Sequence, residues 1–157
     1  MKRSLIFTVA VSLTAVALTV VLFTSGVFAA RANEHNTIHV VEHAITDTVV
    51  DIGPKGDSRG DILAFANPVF DEADKKQVGS DNGHCIRTIP GKAYECFWTV
   101  FLPAGQITVE GPFFDNADSL LAITGGTGVY QDVRGQMKLH ARGNPVGSEY
   151  DFIYMLS

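Results

Sequence analysis

The chain contains the run Cys85-Ile86-Arg87-Thr88-Ile89-Pro90-Gly91-Lys92-Ala93-Tyr94-Glu95-Cys96-Phe97-Trp98-Thr99-Val100-Phe101. Two stretches rich in aromatic and β-branched residues flank a short Pro-Gly-Lys loop. Such residues suit the pleated, half-buried surface of a sheet, and Pro-Gly reverses the chain, so the run predicts an antiparallel hairpin. Counting outward from Pro90-Gly91 pairs Ile89 with Lys92, Thr88 with Ala93 and, at the far end, Cys85 with Cys96. Directly opposed residues have Cα atoms about 4.5–5.5 Å apart, which a disulfide can bridge. The expectation is a Cys85–Cys96 disulfide; the alternative is two free buried thiols.

The rest of the chain reads the same way. Towards the N-terminus, Gly79 to Gly83 forms a turn cluster, and Asp71 to Lys76 is charged and faces solvent. Asp61 to Ala66 is a short apolar strand bordered by Pro68, which cannot donate to a ladder. Gly53 to Gly60 holds turn-forming residues and is a surface loop. Thr37 to Asp51 is rich in Val and Ile and predicts a strand. Towards the C-terminus, Pro103-Ala104-Gly105 turns the chain, Gln106 to Glu110 alternates, and Gly111-Pro112 stops that strand. Ser119 to Thr124 is short and apolar, and Gly125-Gly126-Thr127-Gly128 is a loop. Gly135 to Arg142 puts Met137 and Leu139 on one face. Glu149 to Leu156 sets Tyr150, Phe152 and Tyr154 against Ile153 and Met155. No segment shows an apolar 3.6-residue period over three turns. About eight short strands between turn signals predict an all-β barrel or sandwich. A closed eight-stranded barrel has an interior that can hold one small ligand, whereas a sandwich fills that space with side chains.

The first residues stand apart. Met1-Lys2-Arg3 is basic, Ser4 to Ala30 carries no charge, and Val27-Phe28-Ala29 and Ala30-Arg31-Ala32 are small-residue cleavage patterns. Together they read as a secretory signal peptide. The apolar run is also long enough to span a bilayer, so an uncleaved N-terminal anchor is the alternative. Lys2 and Arg3 place the rest outside the cytoplasm in either case. Residues 1–32 are therefore set apart, and 33–157 are one domain, secreted or anchored by residues 4–30. Taking the three positive charges of Lys2, Arg3 and Arg31 from the net charge of −5 leaves −8. An acidic domain with no Lys/Arg cluster repels phosphates, which excludes nucleic acid as a partner, and it has no affinity for an anionic membrane surface. A cysteine pair outside the cytosol tends to oxidise, and without Cys-x-x-Cys spacing it is a weak zinc signal.

Several segments resemble the allene oxide cyclase family, whose barrel is similar to that of the dirigent proteins and is calycin-like. They are Gly60-Asp61-Ile62-Leu63-Ala64-Phe65-Ala66-Asn67, Lys75-Lys76-Gln77-Val78-Gly79 with Gly83-His84-Cys85, Tyr94-Glu95-Cys96-Phe97, and Ile107 to Phe113. The strongest is Leu121-Ala122-Ile123-Thr124-Gly125-Gly126-Thr127-Gly128-Val129-Tyr130 with Gly135-Gln136-Met137-Lys138-Leu139. They run colinearly from about Val40 to the C-terminus. The resemblance implies an eight-stranded antiparallel barrel behind an N-terminal signal helix, with an apolar cavity. It implies an isomerase-type cyclisation or a stereoselective coupling without cofactor or metal, and a homotrimer. It places a catalytic carboxylate at Glu42, an oxygen-positioning amide at Asn67, and cavity-lining positions at Phe65 and Cys85. Two positions depart from the pattern. A second oxygen-positioning Asn is replaced by Ala44, and the Ser-Pro pair of the plant enzymes has no counterpart between Gly53 and Gly60. The His-Asp pair of dirigent proteins is likewise matched only by His43.

Each candidate has a plainer reading. Strand alternation puts Val40, Glu42 and Ala44 on one face, with His39, Val41 and His43 on the other. If the first set points inward, Glu42 is a carboxyl in low dielectric; if not, it is a solvated surface Glu. Asn67 precedes proline and could simply cap a turn. His39 and His43 lie about 13 Å apart on a strand, too far for one metal, and read as surface or subunit-contact residues. The Gly125–Gly128 loop lacks the Lys-Ser/Thr of a phosphate loop, and Asp115, Asp118 and Asp132 lack calcium-loop spacing. Tyr94, Phe97, Trp98, Phe101, Phe113 and Phe114 are core aromatics, of which Phe97 and Phe101 are expected on the cavity wall. The expected ligand is a lipophilic or aromatic small molecule. The alternative is a non-catalytic binding or structural barrel.

Overall fold

The computed structural model describes residues 36–143 and 148–157. The leader or anchor assigned to residues 1–32 lies outside the described residues. The elements are β1 (Asn36–His43), β2 (Thr48–Val50), β3 (Ile62–Phe65), β4 (Pro68–Asp71), β5 (Gln77–Ile89), β6 (Ala93–Leu102), β7 (Gly105–Phe114), β8 (Ser119–Gly126), a 3₁₀ turn (Gly128–Tyr130), β9 (Gly135–Arg142) and β10 (Glu149–Leu156). All neighbouring strands are antiparallel, and the order closes on itself because β5 pairs with β6 and, through β4, with β1. β1 and β2 pair in turn with β4 and β3, and both of those pair with β5, so each couple fills one position of an eight-stranded closed barrel. Closure removes the edge strands that an open sheet would expose.

Alternation sorts the side chains. β10 buries Tyr150, Phe152, Tyr154 and Leu156, and β9 buries Met137 and Leu139. On β6, Tyr94, Cys96, Trp98 and Val100 are buried. These inward residues form one core with Val40, Val69, Ile107 and Leu121. Trp98 packs 5.4 Å from Phe152 and 6.1 Å from Phe65, ring centre to ring centre.

Two expected turns are strand. β5 runs unbroken through Gly79 to Gly83. A Cβ at Gly83 would strike Trp98 and the Phe97 carbonyl, and one at Gly79 would strike the Phe101 carbonyl. These glycines answer close approach by β6 rather than a reversal. β7 likewise continues through Gly111-Pro112 to Phe114. Its ladder with β8 ends at Glu110, so Pro112 withholds no hydrogen bond from that neighbour.

The central hairpin has the expected register at Cys85–Cys96, and the two cysteines are joined in a disulfide with Cα atoms 4.0 Å apart. A bulge between Arg87 and Ile89 shifts the pairing only beside the turn.

Candidate functional site

The site begins at an interruption in the ladder. Between β1 and β2 the backbone leaves β4 and β3, and the side chain of Asn67 replaces the missing strand partner. Its Oδ1 accepts from the amides of Ile45 (3.1 Å) and Thr46 (2.9 Å) and from Thr46 Oγ1 (2.9 Å). These donors fix the amide orientation, since an NH2 group there could not accept. Nδ2 therefore faces the other way and donates to Glu42 Oε1 and Asp47 Oδ1, both at 2.8 Å. Asn67 is 1 % exposed, and its backbone pairs with Asp81 on β5 (3.0 and 2.8 Å). Asn67 thus does more than cap a turn, but both of its amide hydrogens are taken. It holds acids in place, and none of its hydrogens is left for a ligand oxygen.

Glu42 points inward with Val40, the phase that alternation left open and the resemblance implied, and is 5 % exposed. Burial pushes its carboxyl well above the ordinary range, and the neighbouring Asp81 adds to this, against the lowering hydrogen bond from Asn67. Asp81 is 1 % exposed; burial pushes its carboxyl upward as well, against the Asn67 amide and a hydrogen bond with Glu42 that favour ionisation. Among the described residues, Asp81 Oδ2 finds no hydrogen-bond donor. The hydroxyl of Tyr154 and Nε1 of Trp98, also buried in the barrel, lack partners as well.

Glu42 lies on the wall of an inner pocket of about 40 Å³, together with Asp47, Phe65, Cys85, Trp98, Phe113 and Tyr150. This is room for little more than a few water molecules. Phe113, Leu139 and Tyr150 also line an outer cleft of about 240 Å³ at the β7–β8 turn, so inner pocket and cleft lie on the two sides of one shared wall. Phe113 stacks on Tyr94 (6.2 Å) and meets Tyr150 edge-on (5.8 Å) where the two join.

Phe65 and Cys85 fall on the pocket wall, Cys85 as half of the disulfide. Phe97 and Phe101 do not. They alternate with the inward Cys96, Trp98 and Val100, and Phe97 is 42 % exposed on the outer surface. The cysteine pairing itself carried that signal: if Cys96 faces in with Cys85, Trp98 faces in and Phe97 out. Asp81 and Trp98 were missed as site residues, Asp81 because it lies within the glycine-rich stretch read as a turn.

The outer wall carries a separate charge network. His39 bonds Asp151 (2.7 Å), and His43 bonds Asp74 (2.7 Å) while stacking on Phe70 (4.1 Å). Ligand atoms of His43, Asp74 and Glu149 lie within 4.8 Å of one another, but Arg142 stands 3.6 Å from Asp74 and already supplies positive charge there.

Residues 37–155 match the family model described as allene oxide cyclase. Among solved structures, a pyocyanin demethylase is 28 % identical over 78 % of this chain and 100 % of its own, with a TM-score of 0.67. A pterocarpan synthase dirigent protein is 19 % identical over 79 % of this chain and 96 % of its own (TM-score 0.64). The Diels-Alderase AbmU from Streptomyces koyangensis is 16 % identical over 77 % of this chain and 63 % of its own (TM-score 0.64). The last two likenesses concern the fold.

Proposed function

Since the chain belongs to the allene oxide cyclase family, we propose that it takes a lipophilic or aromatic small molecule into the mouth of its barrel and steers its cyclisation or coupling. The observation that carries this reading is one buried acid, Glu42, on the wall of an aromatic-lined pocket that adjoins a larger cleft. Only the leading end of a ligand fits beside Glu42; its bulk lies in the cleft, against Phe113 and Tyr150. Walls that hold a flexible or radical-bearing molecule in one folded conformation lower the entropic part of the barrier. Glu42 adds charge or proton where the reaction develops it, and Asn67 fixes its orientation. With Ala44 in place of a second amide and the hydrogens of Asn67 engaged, epoxide ring closure of the plant type has little support from this site. A cyclisation or coupling that needs one acid fits better. The reading includes export directed by residues 1–32 and function outside the cytoplasm.

The small inner volume favours one other reading, a barrel that binds without turnover. A single series of measurements separates the two. Protein recovered from the culture medium is taken into native mass spectrometry, any co-purifying molecule is identified, and its conversion is followed with wild type and Glu42→Gln. The expected result is a retained ligand and a turnover about 10²–10³-fold lower in the variant. Full turnover in Glu42→Gln removes Glu42 from the mechanism, and a bound ligand that is never converted establishes the binding module.

A further inference from the structure

Three carboxyls, Glu42, Asp47 and Asp81, gather around the single side chain and backbone of Asn67. Among the described residues, the ion pairs of Lys, Arg and His go to other acids and none reaches these three. The groups facing the cluster from its neighbours are Asn67 between β3 and β4 and the phenols of Tyr150 and Tyr154 on β10. None is a cation. Asp47 is exposed and can ionise into water, whereas Glu42 and Asp81 are enclosed. Two like charges in contact in such a place cannot both persist, so the pair retains a proton. The hydrogen bonds say where it sits. Asp81 Oδ1 accepts from the Asn67 amide (3.3 Å), and Oδ2 has no other donor to accept from. Glu42 Oε1 accepts from Asn67 Nδ2, and its second oxygen is free to carry the hydrogen that Asp81 lacks.

We propose that Asp81 is a positioning residue that holds one shared proton on Glu42, so that the pocket presents a proton donor and selects ligands whose leading end is a proton-accepting oxygen or nitrogen. This rests on the pocket being a ligand site, as proposed above. The same acid then meets its ligand as a neutral hydrogen-bond donor or general acid instead of a carboxylate. Proton transfer takes the pair from one negative charge to two and leaves a protonated, positively charged heteroatom on the ligand, which is then the counter-ion that holds both carboxylates in place.

Infrared spectroscopy of the ligand-free protein tests the proton directly. At pH 6 the wild type shows the carbonyl stretch of a buried protonated carboxyl, shifted when glutamate side chains carry ¹³C and unmoved when aspartates do. Glu42→Gln loses the band. In Asp81→Asn, which keeps the shape of the residue, the midpoint at which the band disappears falls by about one pH unit or more. A wild type without the band at pH 6, a band that follows aspartate labelling, or an unchanged midpoint in Asp81→Asn overturns the proposal. The labelled wild type decides even if Asp81→Asn fails to fold. No ligand enters this readout, so it stands apart from the conversion assay. For the ligand side, the probe is 4-nitrophenol, with a phenolate oxygen and an absorbance that reports its protonation. Wild type is expected to bind it several-fold more tightly at pH 6 than at pH 8.5 after correction for the probe's own titration. Equal affinity at both, with the infrared band present, overturns the selection by proton donation.

Discussion

At the scale of single residues, the site is a balance of burial against charge, and it gives the protein a pH dependence of known sign. A carboxyl raised on folding binds a proton that the unfolded chain has already lost. Stability therefore falls as pH climbs from the unfolded value towards the folded one, and levels off above it. Burial displaces Glu42 and Asp81 in the same direction, so the loss sets in above the ordinary carboxylate range and is complete where the pair gives up its shared proton. Thermal unfolding followed by circular dichroism should show a Tm on the order of 5 °C or more lower at pH 8 than at pH 5. The slope should flatten in Glu42→Gln; a flat wild-type profile would mean that the pair is ionised already. Glu42 could be placed from the sequence because strand alternation is local and the resemblance supplied its phase. Its partner could not, because only the barrel brings β5 across to β1.

At the scale of elements, the β5–β6 hairpin is the most self-sufficient piece. Its disulfide spans a sequence separation of 11 and ties two central strands together beside the pocket. Closing so short a loop contributes about 2–3 kcal/mol. The double variant Cys85→Ser/Cys96→Ser should melt about 10 °C lower, and intact protein should show no thiol on mass spectrometry without reduction. Pairing, register and disulfide were legible because each depends on residues close together in the chain. The break between β1 and β2 was not. Thr37 to Asp51 reads as one apolar strand, and nothing local shows that Ile45 to Asp47 turn to the side chain of Asn67. The faces of Phe97 and Phe101 were misjudged for a different reason: aromatic mass was weighed ahead of the two-residue period.

At the scale of the whole molecule, one end of the barrel is held by a few long-range clasps. Asp61 gathers the 52–58 loop by accepting from Ile52 (3.0 Å), Ser58 N (2.7 Å) and Ser58 Oγ (3.0 Å). Arg87, buried over the ring of Tyr94 at 3.6 Å, reaches Asp57 in that loop (2.6 Å) and Asp115 in the β7–β8 turn (2.7 Å). Arg87→Met keeps the stem and removes the clasp, at a cost of about 1–3 kcal/mol. Local opening should then free the backbone around the exposed Lys55 and Arg59 to enter a protease cleft, and trypsin should cut there about tenfold faster, measured by timed digestion and mass spectrometry. An unchanged cleavage rate would show that Asp61, with the Asp57–Gly91 and Arg59–Thr88 contacts, holds the loop without Arg87. The amino-acid sequence by itself determined the all-β class, the hairpin and its cysteine pair, and the division of the first strand into two faces. Those follow from two-residue alternation, turn chemistry and volume, which act within a few residues. Only the tertiary structure decided that the lumen is mostly filled, that Phe97 and Phe101 face away from it, and that Glu42 has Asp81 beside it. Closing the sheet places strands distant in sequence a few ångströms apart, and the burial and like-charge contact that govern the pocket exist only after that closure.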